Sequence, residues 1–232
     1  MERPRIVRFE SKVIDIKKLT KDVKHIVLEK PREFSFLPGQ FITFILHKGG
    51  EELRRSYSIA SKNNESPLEL CIKIVKGGRA TPLIDRWTVG EKINVIGPLG
   101  HFVLQSKSEG KNIILIATGT GITPFRPMVH YLLENHLAQK VILIAGYKQE
   151  QDILYDEEFK KLAEEYPHFS YQTVLSRSES KEKQHVQDVL EHFFIADADY
   201  YICGLKDMVF SVRDLLMQKG ILLDNLFFER YD

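Results

Sequence analysis

Over its first hundred residues or so the chain alternates apolar and polar positions; after that its period changes. RIVRFESKVIDIKKL, KHIVLE, QFITFILH, RRSYSIA, LELCIKIV and KINVIG are short runs rich in Val, Ile and Phe. Many of them alternate every second residue, the period of a half-buried strand. PGQ at 38–40, KGGEE at 48–52, KNNESP at 62–67 and GPLG at 97–100 punctuate them as turns. Many short strands at regular spacing predict a small antiparallel barrel or sandwich.

The polar stretch SKSEGK, residues 106–111, reads as a linker. Beyond it, strand-like runs (NIILIATG, KVILIAGY, FSYQTVLS, DYYICG, NLFFER) alternate with helix-like ones. The helices are expected from about Pro124 to Asn135 and across DEEFKKLAEEY, HVQDVLEHFF and KDMVFSVRDLLMQKG. IILIA and VILIA suit central parallel strands buried on both faces. Such alternation implies an open α/β sheet, which takes ligands at the carboxyl ends of its strands. The pattern thus predicts two domains, an antiparallel β-barrel over 1–105 and an open parallel-sheet nucleotide-binding domain over 106–232. A cleft between two such domains can hold two cofactors face to face. SRSESKEKQ at 176–184 is polar enough to be a mobile loop.

Composition narrows the classes. A length of 232 residues accommodates two domains of roughly 100 residues each. A net charge of +1 leaves no global field for nucleic acid or a membrane surface, so any charged partner must be met by a local patch. Two cysteines, Cys71 and Cys203, are too few for a disulfide framework, a zinc site or a cysteine-ligated iron–sulfur cluster. No apolar run reaches the roughly 18 residues that cross a bilayer, and the N-terminus MERPRIVRFESK lacks the apolar core of a secretory signal. A cytoplasmic protein is the expectation.

Three stretches carry chemistry. In IATGTGITPFRP, residues 116–127, a buried strand runs into Gly119 and Gly121, with Thr123 placed to cap a helix and Pro124 at its first position. Glycines let the backbone approach a pyrophosphate, and a helix N-terminus offers it free N–H groups. The full G-x-G-x-x-G fingerprint is absent, because Pro124 stands at the third glycine. KGGRATPLIDRW, residues 76–87, makes a second anion-friendly turn from Gly77, Gly78, Arg79, Ala80 and Thr81. In RRSYSIA, residues 54–60, Arg55 and Tyr57 fall on one strand face and Ser56 and Ser58 on the other. Tyrosine stacks on a flat heterocycle and arginine pairs with phosphate.

RSYSIAS, GGRAT, GTGITPFRP, CGLKDM and the ending FFERYD, in this order over nearly the whole chain, resemble the ferredoxin–NADP reductase family, FAD-dependent oxidoreductases without an iron–sulfur domain of their own. The resemblance implies that Arg55 pairs with the FAD pyrophosphate, Tyr57 stacks on the isoalloxazine and Ser58 hydrogen-bonds near N5, with Ile59 completing that wall. Gly78, Arg79, Ala80 and Thr81 would cradle the same pyrophosphate. Thr118, Gly119, Gly121, Thr123 and Pro124 would hold the pyrophosphate of NADP(H). Ser176, Arg177, Lys183, His185 and Gln187 would take its 2′-phosphate and adenine; His185 stands where plant-type members have tyrosine. Cys203 and Gly204 would lie where nicotinamide meets flavin, with Ser58, Cys203 and Glu229 tuning hydride transfer. Tyr231 matches the terminal aromatic residue that covers the flavin, although Asp232 follows it.

The reaction so implied passes hydride between NADP(H) and bound FAD, and electrons between FAD and a ferredoxin- or flavodoxin-type carrier. Lys17, Lys18, Lys21 and Lys24 offer a local patch for an acidic carrier. Alternatives stay open: an NAD(P)H:flavin oxidoreductase using diffusible flavin, the reductase component of a multicomponent oxygenase, or a flavin- or nucleotide-binding regulatory module. GGRAT argues for retained FAD.

Overall fold

The computed structural model describes residues 3–178 and 183–231. The centre of the polar loop expected at 176–184, residues 179–182, lies outside the described residues, as do Met1, Glu2 and Asp232.

The N-terminal strands are β1 (Val7–Lys18), β2 (Val23–Leu28), β3 (Phe41–Lys48), β4 (Glu51–Ser58), β5 (Leu68–Lys73) and β6 (Lys92–Leu99). They form one antiparallel sheet in the order β4-β3-β6-β1-β2-β5. Its edges meet at a bridge between Ile59 and Leu70, beside an Ala60 N–H to Glu69 carbonyl bond of 2.8 Å. The sheet therefore rolls up, as the alternation predicts. Ile26, Leu28, Ile42, Phe44, Leu68, Leu70 and Ile72 turn inward and are fully buried. Each contributes roughly 1.5–3 kcal/mol relative to an exposed position. The short helix α1 (Thr81–Ile84) adds Ile84 to this core.

The second sheet is parallel throughout, in the order β11-β10-β7-β8-β9. Its strands are β7 (Asn112–Thr118), β8 (Lys140–Tyr147), β9 (Phe169–Leu175), β10 (Asp199–Leu205) and β11 (Leu226–Tyr231). Helices α2 (Phe125–Glu134), α3 (Asp156–Glu165), α4 (Val186–Leu190) and α5 (Lys206–Gln218) connect them. The chain steps outward from β7 to β9, then returns to lay β10 on the other side of β7. That reversal is the topological switch point where open α/β sheets bind ligands.

Local differences from the sequence pattern have physical causes. Gly119–Ile122 forms a 3-10 turn, so α2 begins at Phe125 and Pro124 precedes it instead of opening it. The expected helix over 185–194 is only α4, continued as a 3-10 turn at Glu191–Phe193. Residues packing with the barrel sheet include Thr123–His130, so the start of α2 belongs to the first compact unit; the second comprises Gln105–Ile122 and the chain from Tyr131.

The stretch read as a linker is anchored. Ser106–Ser108 forms a 3-10 turn, and Ser108 is 3% exposed. The Gln105 N–H donates to the Tyr201 hydroxyl at 3.0 Å, and Tyr201 and Ser108 share a 2.9 Å hydrogen bond. The Ser108 hydroxyl donates in turn to the fully buried Asp199, whose other oxygen stands 3.1 Å from Lys111 Nζ. Burial pushes the Tyr201 hydroxyl up to about 12 against these hydrogen bonds, so it stays a donor. Ser108→Ala leaves two buried polar groups short of a partner, a cost of about 1–3 kcal/mol. Urea denaturation is expected to show the lowered midpoint, and an unchanged midpoint would refute the network's role.

Candidate cofactor sites

At the switch point the turn after β7 lies so close to the end of β10 that no side chain fits at Gly121. A Cβ on Gly121 would lie 2.2 Å from the Cys203 carbonyl oxygen and 2.8 Å from Gly204 Cα. Gly119 has φ +54 and open space where its Cβ would point. One glycine is thus demanded by close packing and the other by a left-handed turn with a free outer side. The Leu205 N–H donates to Thr118 Oγ1 at 3.3 Å, tying the two strand ends together. Thr123 is 1% exposed.

In the barrel unit, Arg55 and Tyr57 stand opposite Phe44 and Ile42, and Ser56 opposite Thr43, with 3.0 Å between the two hydroxyl oxygens. The alternation read from the sequence is therefore present. The Tyr57 ring packs 5.3 Å from the Phe44 ring, and burial raises its hydroxyl to about 12 against the Arg55 charge. Arg55 is exposed, with Nη1 2.7 Å from the Arg54 carbonyl oxygen. Ser58 is 6% exposed, and Ile59 is fully buried in the core, which leaves only its backbone to offer a ligand. In the GGRAT turn, Thr81 Oγ1 accepts from the Val75 N–H at 3.0 Å and donates to the Val75 carbonyl at 3.1 Å, closing the loop. Arg79 is exposed and pairs with Glu51, while Ala80 is buried.

The other residues lie in the second unit. Cys203 pairs in register with Ala117 on β7 and Glu229 on β11, and Leu205 with Tyr231. The Cys203 thiol is raised well above its ordinary value by burial and by the Glu229 charge, against a hydrogen bond with Tyr231. It is a neutral thiol throughout the physiological range. Tyr231 is a strand residue, half-buried beside Cys203. The Ser176 N–H donates to the Tyr147 carbonyl at 3.0 Å, and Gln184 N–H to the Leu175 carbonyl at 2.9 Å. These bonds pin both ends of the polar loop and bring Arg177, Lys183 and His185, all exposed, to the carboxyl end of β9. Gln187 reaches Ser211 Oγ at 2.8 Å.

Nothing in the local sequence marks Lys148. Arg177 N–H donates to its carbonyl at 2.8 Å, which sets a further exposed cation beside Arg177. Only the β8–β9 register reveals it. Of the four lysines read as a patch, Lys24 pairs with Asp85 at 2.8 Å and Lys17 with Asp15 at 3.5 Å, while Lys18 and Lys21 are exposed.

Comparison with known proteins agrees with this geometry. Residues 10–104 match the oxidoreductase FAD-binding domain family and residues 115–214 the oxidoreductase NAD-binding domain family. Ferredoxin–NADP reductase B of Sorangium cellulosum is 30% identical over 97% of this chain and 98% of its own. The chain belongs to the ferredoxin–NADP reductase family. The reductase component of a naphthalene 1,2-dioxygenase system from Pseudomonas putida is 27% identical over 94% of this chain and 67% of its own. A ferredoxin–NADP+ reductase from Neisseria gonorrhoeae with bound FAD and NADP shares the fold, with a TM-score of 0.88 at 19% identity over 96% of this chain and 98% of that one. An Amycolatopsis cytochrome P450 reductase gives 0.87 at 25% identity over 97% and 70%.

As a member of this family the chain is an oxidoreductase that binds FAD and a nicotinamide dinucleotide. Its residues fit both groups. The open side of Gly119 leaves backbone uncovered for a phosphate, and exposed Arg55 beside the half-buried Tyr57 ring suits a flavin nucleotide.

Two outcomes are expected. Gly121→Ala forces backbone apart at the strand ends and should abolish binding of a nicotinamide dinucleotide by calorimetry; retained affinity would contradict the steric account. The folded protein should leave Cys203 unmodified by iodoacetamide at pH values up to about 8, where a thiol of ordinary pKa already reacts. Labelling of native Cys203 under those conditions, read by mass spectrometry, would disprove the full burial of the thiol.

Proposed function

We propose that the protein passes reducing equivalents from NADPH to its own FAD and on to a ferredoxin- or flavodoxin-type carrier. Residues 1–105 would form the FAD-binding domain and 106–232 the NADP-binding domain, with the start of α2 lent to the first. The observation carrying the choice of NADP is the group of exposed cations at the carboxyl end of β9: Arg177, Lys183 and the adjoining Lys148. A 2′-phosphate needs such charge, and NAD has no 2′-phosphate to meet it. The bound cofactors supply the chemistry itself, hydride transfer from nicotinamide C4 to flavin N5 and onward release of single electrons.

The chain's residues bind and orient. Arg55 and the turn Gly78–Thr81 hold the FAD pyrophosphate, Arg79 exchanging Glu51 for phosphate. Tyr57 would stack on the flavin, and Ser58 would hydrogen-bond near its N5. The turn from Thr118 through Gly119 and Gly121 to Thr123 and Pro124 receives the NADP pyrophosphate. Ser176, Arg177, Lys183, His185 and Gln187 take its adenosine 2′-phosphate end. Cys203, as a neutral thiol, Gly204 and Glu229 would line the place of the nicotinamide, and Tyr231 would be the terminal aromatic residue offered to the flavin.

The carrier assignment draws on the Sorangium relative, named for its ferredoxin partner. Lys18 and Lys21 supply the exposed positive charge for it. A second reading, the reductase of a multicomponent oxygenase, is favoured by the naphthalene dioxygenase relative, which matches 94% of this chain. A cytoplasmic location suits two free cysteines.

Anaerobic stopped-flow reduction tests the nucleotide choice. NADPH is expected to bleach the bound flavin faster than NADH. Arg177→Ala and Lys183→Ala should each lower kcat/KM for NADPH about tenfold, the loss of roughly 1.4 kcal/mol, with NADH little affected. Equal rates with both nucleotides, or equal losses for both, would overturn the choice of NADP.

A further inference from the structure

The outward side of β5 is covered. Leu68, Leu70 and Ile72 point into the barrel core, so Glu69 and Cys71 face the other way. His25, opposite Cys71 in the β2–β5 ladder, shares that face. Yet Cys71 is 5% and His25 9% exposed. Arg126, in the first turn of α2 and itself 6% exposed, meets this face at Glu69. Its Nη1 stands 2.6 Å from Glu69 Oε2 and 2.7 Å from the Ala60 carbonyl oxygen. His25 Nε2 is 3.3 Å from the same Glu69 oxygen. Burial alone would raise the Glu69 carboxyl, but the His25 hydrogen bond and the Arg126 charge hold it below the usual carboxylate range. A buried arginine satisfied in this way is fixed in place, because any shift strands a charge.

The peptide it grips lies just past the flavin strand. Ile59 N–H donates to the Gln40 carbonyl at 2.9 Å and Ala60 N–H to the Glu69 carbonyl at 2.8 Å, so the Arg126 bond to the Ala60 carbonyl completes the restraint of this segment. On its own side Arg126 donates its N–H to the Thr123 carbonyl at 3.3 Å, closing the turn that Gly119–Ile122 leads into. None of the cofactor roles assigned above uses this side chain.

We propose that Arg126 is a positioning residue, whose guanidinium fixes the end of the Tyr57–Ser58 strand and the turn after the dinucleotide loop to one another. The proposal rests on the assignment of those stretches to FAD and to the nicotinamide dinucleotide. Its effect falls on the placement of the end of the flavin strand, and hydride transfer is sensitive to misplacement of about 1 Å.

The test uses holoprotein carrying Arg126→Ala, Arg126→Lys or Glu69→Gln. Three quantities are read: bound FAD, the limiting rate and Kd of flavin reduction by NADPH, and hydrogen exchange of peptides spanning 57–60 and 119–126. Arg126→Ala should retain FAD, lower the limiting rate about tenfold or more with Kd moved less than about threefold, and speed exchange in both peptides together. Arg126→Lys should recover part of the rate. A limiting rate within about twofold of the parent, or faster exchange in one peptide alone, overturns the proposal. If Arg126→Ala does not fold, Arg126→Lys and Glu69→Gln decide by the same two readouts, and parental behaviour in both overturns it. A parent protein whose flavin NADPH fails to reduce would refute the functional reading instead, and the exchange measurement would still decide whether Arg126 couples the two segments.

Discussion

The close approach of the turn after β7 to the carboxyl end of β10 is the constraint on which the second unit depends. Two parallel strands meet there because the chain reverses its order across the sheet. Backbone touches backbone at Gly121 and Cys203, so a side chain is excluded and the loop must be glycine. The same reversal opens the crevice in which such sheets take nucleotides. The residues brought to its edge, from Thr118 and Gly119 to Gly204, follow from the strand order more than from their own chemistry.

The barrel unit obeys a different rule. Its strands alternate, and one face is spent on a core of Ile, Leu and Phe. Where β4 ends, that alternation is put to use: Tyr57 is half-buried against Phe44 while Arg55 stays at the surface. A ring with a buried flank and a cation with a free end suit a ligand that is flat at one end and charged at the other. The end of that strand is held by neighbours from β5 and by Arg126, so the wall is stiff where a flavin would need it.

Cys203 shows how environment decides the chemistry of a residue. Its place in CGLKDM suggests a role in hydride transfer, yet full burial and the charge of Glu229 keep the thiol protonated. A neutral thiol contributes shape and a weak hydrogen bond, which suits a reaction whose electrons move between cofactors. The lysine patch is subject to the same correction. Lys24 is tied to Asp85, so the exposed charge is smaller than the run of lysines implies.

The sequence by itself determined the two kinds of sheet, because a period of two and a continuous apolar run are local signals of one-sided and two-sided burial. It also determined the family, through ordered short motifs whose glycines, arginine and tyrosine are adjacent in the chain. Only the tertiary structure decided which polar residues are structural. SKSEGK reads as a linker because the partners of Ser108, Asp199 and Tyr201, lie 91 and 93 residues away. Arg126 reads as part of a helix because Glu69 lies 57 residues before it, and Lys148 joins Arg177 only through strand register. Burial and pairing across such separations are set when strands choose their neighbours, and no local pattern encodes that choice.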